Sequence, residues 1–424
     1  MKPVRRLFVD VSYTRTQSVN VGIIRTVNRL LEEFKTVAPA HGMVCVPVVF
    51  HTEGFRLLPD DRREASNLRD SPSRRSGKER ILQWIATGPI RHIVSAYFPL
   101  LLRRVAWSIF SWWDFNRLAK DLIPIDINPG DVIFLSDASW NYRIWLATFQ
   151  ARQKGARVVT VVYDLIPLRQ PEFCPALTTI AFRKWLKRLI PESDGVICIS
   201  RAVEDDLRQY AAELGISLPP TGNFRLGCDP ISPATPDAEI RNAIRDFFVG
   251  VPCFTAIGSI EPRKNYALLI DAFEKLWASG VDVRLLIIGR RSSQCDDLLE
   301  RIEHHSELGK RLLVIFNGTD QEVTFGYANS RALIFPSLAE GFGLPLVEAR
   351  ARGCRVIASD LPAFVELADG GVSIFPRNSL EALEALVRSH LSDGQYATIM
   401  MPFTWADSAH RCMALIERFS AERV

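Results

Sequence analysis

CFTAIGSIEPRKNYALLIDAFEKLWA, residues 253–278, changes its hydrophobic period halfway along. The first part, CFTAIGS (253–259), is a short apolar run ended by glycine and reads as a buried strand. In 266–278, Leu268, Leu269, Phe273 and Leu276 recur at helical spacing. The connecting loop is Gly258-Ser259-Ile260-Glu261-Pro262-Arg263-Lys264-Asn265. Glycine there lets the chain turn tightly and lets a ligand come close to the backbone. The helix N-terminus behind it supplies partial positive charge, and Arg263 and Lys264 add two full cations, suited to a diphosphate. Taken alone, most Arg-Lys pairs are solvated loop cations.

The same strand-to-helix rhythm runs in both directions from this stretch. Upstream, LFVDVSY (7–13) leads into a helix from about Val21, and VCVPVVF (44–50), DVIFLSD (131–137), RVVTVVYD (157–164) and GVICIS (195–200) read as strands. Downstream the strands are RLLIIG (284–289), RLLVIFNG (311–318), RALIFPS (331–337), CRVIAS (354–359) and GVSIF (371–375). Strands apolar on both faces and joined by helices predict parallel sheets covered on both sides. The expectation is an α/β chain of two doubly wound, Rossmann-like domains with a ligand cleft between them, at the carboxyl ends of the strands. The proline-bearing stretch CDPISPATPDAEIR (228–241) reads as the linker, dividing an N-terminal domain (1–235) from a C-terminal domain (236–402). The helical tail 403–424 is expected to cross back to the N-terminal domain.

Composition bounds the function classes. The 424 residues suffice for two domains, and 47% hydrophobic with 24% charged residues is ordinary for a globular protein. A net charge of +4, from 52 basic and 48 acidic residues, does not by itself argue for nucleic acid. The eight cysteines are scattered, with no CxxC pair, and read as buried reduced thiols rather than disulfides or zinc ligands. His41, His51, His92, His304, His305 and His410 show no ligand spacing and read as surface residues. MKPVRRLFVDVSY lacks the apolar core and cleavage site of a signal peptide. No uninterrupted apolar run is long enough to span a bilayer, so the cytoplasm is the expected compartment.

Residues 54–120 break the rhythm. Between Arg74 and Lys120 there are nine Arg or Lys and two acidic residues, interleaved with Trp84, Trp107, Trp112 and Trp113. Such a mixture suits an amphipathic helix in the headgroup layer of an anionic membrane. It equally suits a helical insertion whose aromatics pack on the N-terminal domain.

A second loop sharpens the first. FPSLAEGFGLPLVEA (335–349) again runs from a strand through glycines into a helix, with Pro345 placed for the first helical turn. Glu340 falls in the loop and Glu348 one turn into the helix, two carboxylates that can serve different parts of one polar ligand. Backbone N–H groups of Gly341 to Leu344 face the same point. Together the two segments resemble the donor half of the retaining GT-B glycosyltransferases of family 4. That family pairs G-T/S-x-x-x-R-K-N with a later E-G-F-G-L-P-x-x-E. The resemblance covers about 255–375, through GCRVIASDLPAFVELADGG (353–371).

The resemblance implies residue roles. Arg263 and Lys264 would neutralise the diphosphate of a sugar nucleotide as the glycosidic bond breaks. Glu340 would sit beside the donor sugar, and Glu348 would accept hydrogen bonds from the ribose. Gly258, Ser259, Asn265, Gly341, Phe342, Gly343 and Leu344 would complete the donor contacts, with the base near Arg290 and Phe316–Gly318. On the acceptor side, VDVSYTRTQSVNVGIIRTVNRLL (9–31) resembles the family's first strand and loop and points to Gly22 and Arg25. Gly22 also fits a simple helix start. In the strand 158–168, Tyr163 stands where many relatives carry histidine, Asp164 remains, and Ser200-Arg201 end the next strand. Asp164 would orient the acceptor hydroxyl or the donor sugar.

The resemblance further implies a nucleotide-sugar donor, no cofactor, and no metal, since no D-x-D element occupies a strand end. It favours a bacterial surface polysaccharide enzyme of the lipopolysaccharide or O-antigen kind, with GDP-mannose as donor and a lipid-linked saccharide as acceptor. UDP- and dTDP-sugars stay open. A sugar-nucleotide epimerase or a phosphorylase of the same fold, or a catalytically silent nucleotide-sugar-binding module, are the alternatives.

Overall fold

The strands of the protein form two sheets in a computed structural model that describes residues 5–17, 22–58, 119, 121–141, 144–229, 240–292, 294–392 and 403–421. The first sheet contains β1 (Arg5–Asp10), β2 (Met43–His51), β3 (Gly54–Leu57), β4 (Val132–Leu135), β5 (Arg157–Val162), β6 (Gly195–Cys198) and β7 (Thr221–Asn223). Its spatial order is β3-β2-β1-β4-β5-β6-β7. β1 runs parallel to β2 and to β4, and β4 parallel to β5, while β3 lies antiparallel on β2.

The second sheet contains β8 (Cys253–Ile257), β9 (Arg284–Gly289), β10 (Leu312–Phe316), β11 (Leu333–Phe335), β12 (Val356–Ser359) and β13 (Val372–Phe375). The order is β10-β9-β8-β11-β12-β13, and its pairs are parallel. This is the doubly wound order, whose direction of progression reverses between the first and fourth strands.

Helices cover both faces of the second sheet, which is why its strands are apolar throughout. Along β9, Leu285 and Ile287 join the core formed with Leu269, Phe273 and Leu276 of the helix Tyr266–Ala278. Their neighbours Leu286 and Ile288 join a separate core with Ile244 and Phe247 of the helix Asn242–Phe247. Alternation along one strand therefore feeds two hydrophobic layers. The chain divides into two compact units, Met1–Val161 with Ala176–Val196 and Ile416–Val424, and Val162–Pro175 with Ile197–Leu415.

Two short strands depart from the expectation. Residues 54–57 were expected to open the irregular segment, yet they form β3. Gly-Phe-Arg-Leu is too short to show a period, and it becomes a strand by pairing with the edge of β2. β7, Thr-Gly-Asn, is likewise too short and polar to announce itself. The basic aromatic stretch, with Trp84, Trp107, Trp112 and Trp113, lies outside the described residues, as do residues 230–239 of the expected linker. The eight cysteines are free thiols, six of them buried. His305 corrects the surface reading. Its side chain is 7% exposed and pairs with Glu274 at 3.0 Å, beside the Trp277 ring. Among the described residues, no helix is long and apolar enough to cross a membrane.

Candidate functional site

In a doubly wound sheet, ligands bind outside the carboxyl ends of the strands where the order reverses. In the second sheet that point lies between β8 and β11, which are hydrogen-bonded neighbours. Both loops singled out from the sequence leave these two ends. After β8 the chain passes Gly258, at φ +142°, and forms a 3-10 turn over Pro262–Lys264. It then enters the helix Tyr266–Ala278 through Asn265, at φ 53°. The Gly258 carbonyl accepts the Tyr266 hydroxyl at 3.0 Å, and a Cβ on Gly289, at the end of β9, would lie 2.2 Å from that carbonyl oxygen. Two neighbouring strand ends thus approach too closely for side chains.

The two loops meet through charge. Arg263 Nη1 lies 2.8 Å from Glu340 Oε1, and the Lys264 ammonium pairs with the same oxygen. Arg263 also contacts Glu261 at 3.0 Å and donates to the Ala339 carbonyl at 3.2 Å. Lys264 is buried, with Nζ 4.7 Å above the Phe335 ring. Ser337 Oγ donates to Glu340 at 3.0 Å. Burial alone would raise the Glu340 carboxyl, but the two cations outweigh it and hold it below its usual range. Burial pulls the Lys264 ammonium below its usual pKa despite Glu340. For Arg263, burial is outweighed by Glu340, Glu261 and Asp164, which hold the guanidinium firmly charged.

Asp164 and Tyr163, at the end of β5, lie against the same loop. A Cβ on Gly341 would fall 2.0 Å from the Tyr163 carbonyl oxygen and 3.1 Å from the Asp164 Cβ. Glycine at 341 is therefore a steric requirement. Ser200 Oγ donates to the Gly341 carbonyl at 2.8 Å and accepts from the Val203 amide at 3.1 Å, so one hydroxyl caps the helix Arg201–Glu213 and pins the loop. Burial pushes the Asp164 carboxyl above its ordinary range, against the pull of Arg263 and of the Ile166 amide. The Arg201 side chain is exposed. Its backbone N–H and that of Ala202 donate to the Glu366 carboxylate at 3.1 and 2.9 Å.

Gly343, at φ +124°, is the N-cap of the helix Leu344–Ala351, and Phe342 is buried beside it. In its first turn Pro345 has no N–H, and the Leu346 and Val347 amides donate to the Gly343 carbonyl at 3.0 and 3.3 Å. Glu348, one turn in, is 7% exposed and accepts the Tyr327 hydroxyl at 3.2 Å. Asn265 Nδ2 reaches Asn378 at 3.2 Å. Arg290 receives the Ile260 amide on its carbonyl at 2.8 Å, while the neighbouring Arg291 guanidinium stacks 4.2 Å from the Phe316 ring centroid. Gly318 follows β10, its Cβ position 2.4 Å from Ile288. Ser259 sits half-buried in the loop after β8.

In the first sheet the order reverses between β1 and β4. Their carboxyl ends carry Asp10 and Asp137, both fully buried. Asp10 accepts the Ser12 amide at 3.2 Å, and Asp137 accepts the amides of Thr14 and Ala138, each at 2.8 Å. Burial, reinforced by Asp10, pushes Asp137 up to about 7. Gly22 is the N-cap of the helix Ile23–Val37, at φ 54°, with Arg25 half-buried in its first turn.

Several partners escaped the sequence reading. Glu261 stands two residues before Arg263, a spacing that offered the signal. Ser337, Tyr266, Tyr327 and Asp137 are reached only through folding. Among the described residues, no group of three or more His, Cys, Asp or Glu is placed to hold a metal ion.

Comparison with known proteins agrees with both halves. Residues 240–401 match the family of glycosyl transferases group 1, and residues 66–214 match glycosyltransferase family 4. A serotype-specific mannosyltransferase of Escherichia coli is 36% identical over 254 residues, which is 58% of this chain and 31% of that protein. The chain therefore spans about a third of the length of this relative. An O-antigen chain mannosyltransferase of Salmonella typhimurium, RfbU, is 30% identical over 275 residues, covering 64% of this chain and 66% of the relative. Among solved structures, sucrose-phosphate synthase from Thermosynechococcus elongatus superposes with a TM-score of 0.57 at 17% identity, over 99% of this chain and 97% of the other. That similarity carries the fold, two parallel-sheet Rossmann-like domains of the GT-B kind.

Proposed function

The chain belongs to the group 1, family 4 glycosyltransferases, and from that premise we propose that it transfers mannose from GDP-mannose, with retention, to a lipid-linked saccharide. The observation that carries this reading is the convergence of Arg263 and Lys264 on Glu340 at the switch point of the second sheet. The names of two relatives, both mannosyltransferases, support the sugar. The O-antigen label of one supports a surface polysaccharide as product.

In this mechanism the charge that develops is on the departing nucleotide diphosphate. Arg263 and Lys264 meet it as preorganised cations, so no metal is needed to stabilise it. Glu340, held below its usual pKa between two cations, is a weak proton acceptor. It aligns Arg263 and Lys264 and accepts hydroxyl hydrogens of the sugar. The acceptor hydroxyl attacks on the face that the diphosphate leaves, and a leaving phosphate oxygen takes its proton. Glu348 receives the ribose hydroxyls. Asp164, with its carboxyl raised by burial, orients sugar or acceptor oxygens.

Purified full-length protein incubated with GDP-mannose, UDP-sugars and dTDP-sugars, each with a lipid-linked saccharide acceptor, tests the donor. Transfer from GDP-mannose with the anomeric configuration kept supports the reading. Transfer from a UDP- or dTDP-sugar alone rejects the mannosyl assignment. Unchanged transfer after Lys264→Ala with Glu340→Ala rejects the site.

A further inference from the structure

One face of the first unit carries charge and apolar surface that sugar transfer does not use. The helix Ala176–Glu192 buries Phe182, Trp185, Leu186, Leu189 and Ile190 and exposes Arg183, Lys184, Lys187 and Arg188. At 3.6 residues per turn these four cations occupy one side of the helix. Beside it, the helix Trp145–Gln153 presents Leu146 and Phe149, which are 51% and 54% exposed. The two helices are linked by the Arg188 guanidinium, 5.6 Å from the Trp145 ring centroid, and they line a groove of about 440 Å3. The groove's acidic residue, Glu192, is occupied by Arg152 at 2.9 Å. The patch is locally cationic on a chain whose net charge is only +4.

We propose that this face docks on an anionic lipid bilayer. Arg183, Lys184, Lys187 and Arg188 meet the lipid phosphates, while Leu146 and Phe149 enter the boundary between headgroups and acyl chains. A polyanion such as RNA would satisfy the cations and leave both large apolar side chains in water, whereas a bilayer interface takes up both kinds of group. The inference deepens the proposed reading in one respect, since a lipid-linked acceptor is met at such a surface. It does not depend on the sugar or the base.

Co-sedimentation of the full chain with phosphatidylglycerol–phosphatidylcholine vesicles, and with phosphatidylcholine alone, tests it. Binding is expected only to the anionic vesicles and is expected to weaken with salt. Lys184→Glu with Lys187→Glu should lower the partition by roughly tenfold or more. Phe149→Ser should lower it where salt already screens the charges. Both sets of residues are exposed, so thermal unfolding should be unchanged. Failure of the wild type to bind anionic vesicles overturns the proposal, as does undiminished binding by the charge-reversed variant. Binding to an RNA homopolymer without binding to vesicles also overturns it. Vesicle binding that follows these charges in a protein without transferase activity keeps the surface and rejects the proposed reaction.

Discussion

Replacing Gly341 with alanine inserts one methyl group where two backbones already touch. The new Cβ would lie 2.0 Å from the Tyr163 carbonyl oxygen, against a 3.0 Å limit that real Cβ atoms essentially never breach, so one segment must move by about 1 Å. Neither side yields easily. Tyr163 ends a buried strand, and the Gly341 carbonyl is held by Ser200 at 2.8 Å. Overpacking of this kind costs roughly 1–3 kcal/mol. For a domain of this size that lowers the melting temperature by about 2–4 °C per kcal/mol. The shift also displaces Glu340, the adjacent residue, from Arg263 and Lys264. A misplacement near 1 Å costs on the order of a hundredfold in rate. Differential scanning calorimetry and donor kcat/KM measure the two effects together. Gly370→Ala, where an added Cβ meets nothing within 4 Å, is the control and should be neutral. If Gly341→Ala melts and turns over like that control, the close approach of the two segments is not real.

Three further outcomes are expected. Lys264→Met should lower kcat by roughly a hundredfold to a thousandfold with a smaller change in donor KM, because the lost cation acts mainly on charge developed in the transition state; steady-state kinetics decide this. Asp137 sets a pH dependence of stability. Its folded pKa of about 7 lies above the ordinary 3.8, so the folded state holds a proton the unfolded chain has released. Stability is thus intact below the unfolded value and lost as pH rises toward 7, by roughly 4 kcal/mol in all. Urea unfolding across this range should show a decline that Asp137→Asn flattens, and a flat wild-type profile would count against the shift. Transfer activity should survive excess EDTA, with product formation as the readout, since the positive charge comes from Arg263 and Lys264.

The alternation of strands and helices was legible because hydrophobic period is a local property. Helix 266–278 and strand 284–289 coincide with the elements found, and their apolar residues fill the cores. β3 and β7 were not legible, because four or three residues carry no period and become strands only by pairing with a neighbour. The two loops that leave β8 and β11 were recognisable from their glycines, cations and carboxylates. The meaning of single residues within them was less accessible. Gly341 could be read as a flexible loop glycine, yet what demands it is the Tyr163 carbonyl, far away in sequence. Arg201 stands out in the sequence for its charge, whereas in the fold its backbone N–H donates to the Glu366 carboxylate.

Fold class, the glycine-bearing strand-to-helix loops and the charged residues offered by each are local properties of the chain, since all of these depend on residues within one or two turns of each other. Folding decided which charges face which. Lys264 and Glu340 are 76 positions apart, and they meet because the doubly wound order seats β8 beside β11. The same kind of reversal brings Asp10 and Asp137 to adjacent strand ends in the first sheet and shifts a carboxyl that no local pattern distinguishes. Strand order is set by burial and pairing across the whole domain, so the electrostatics at the strand ends belong to the tertiary structure.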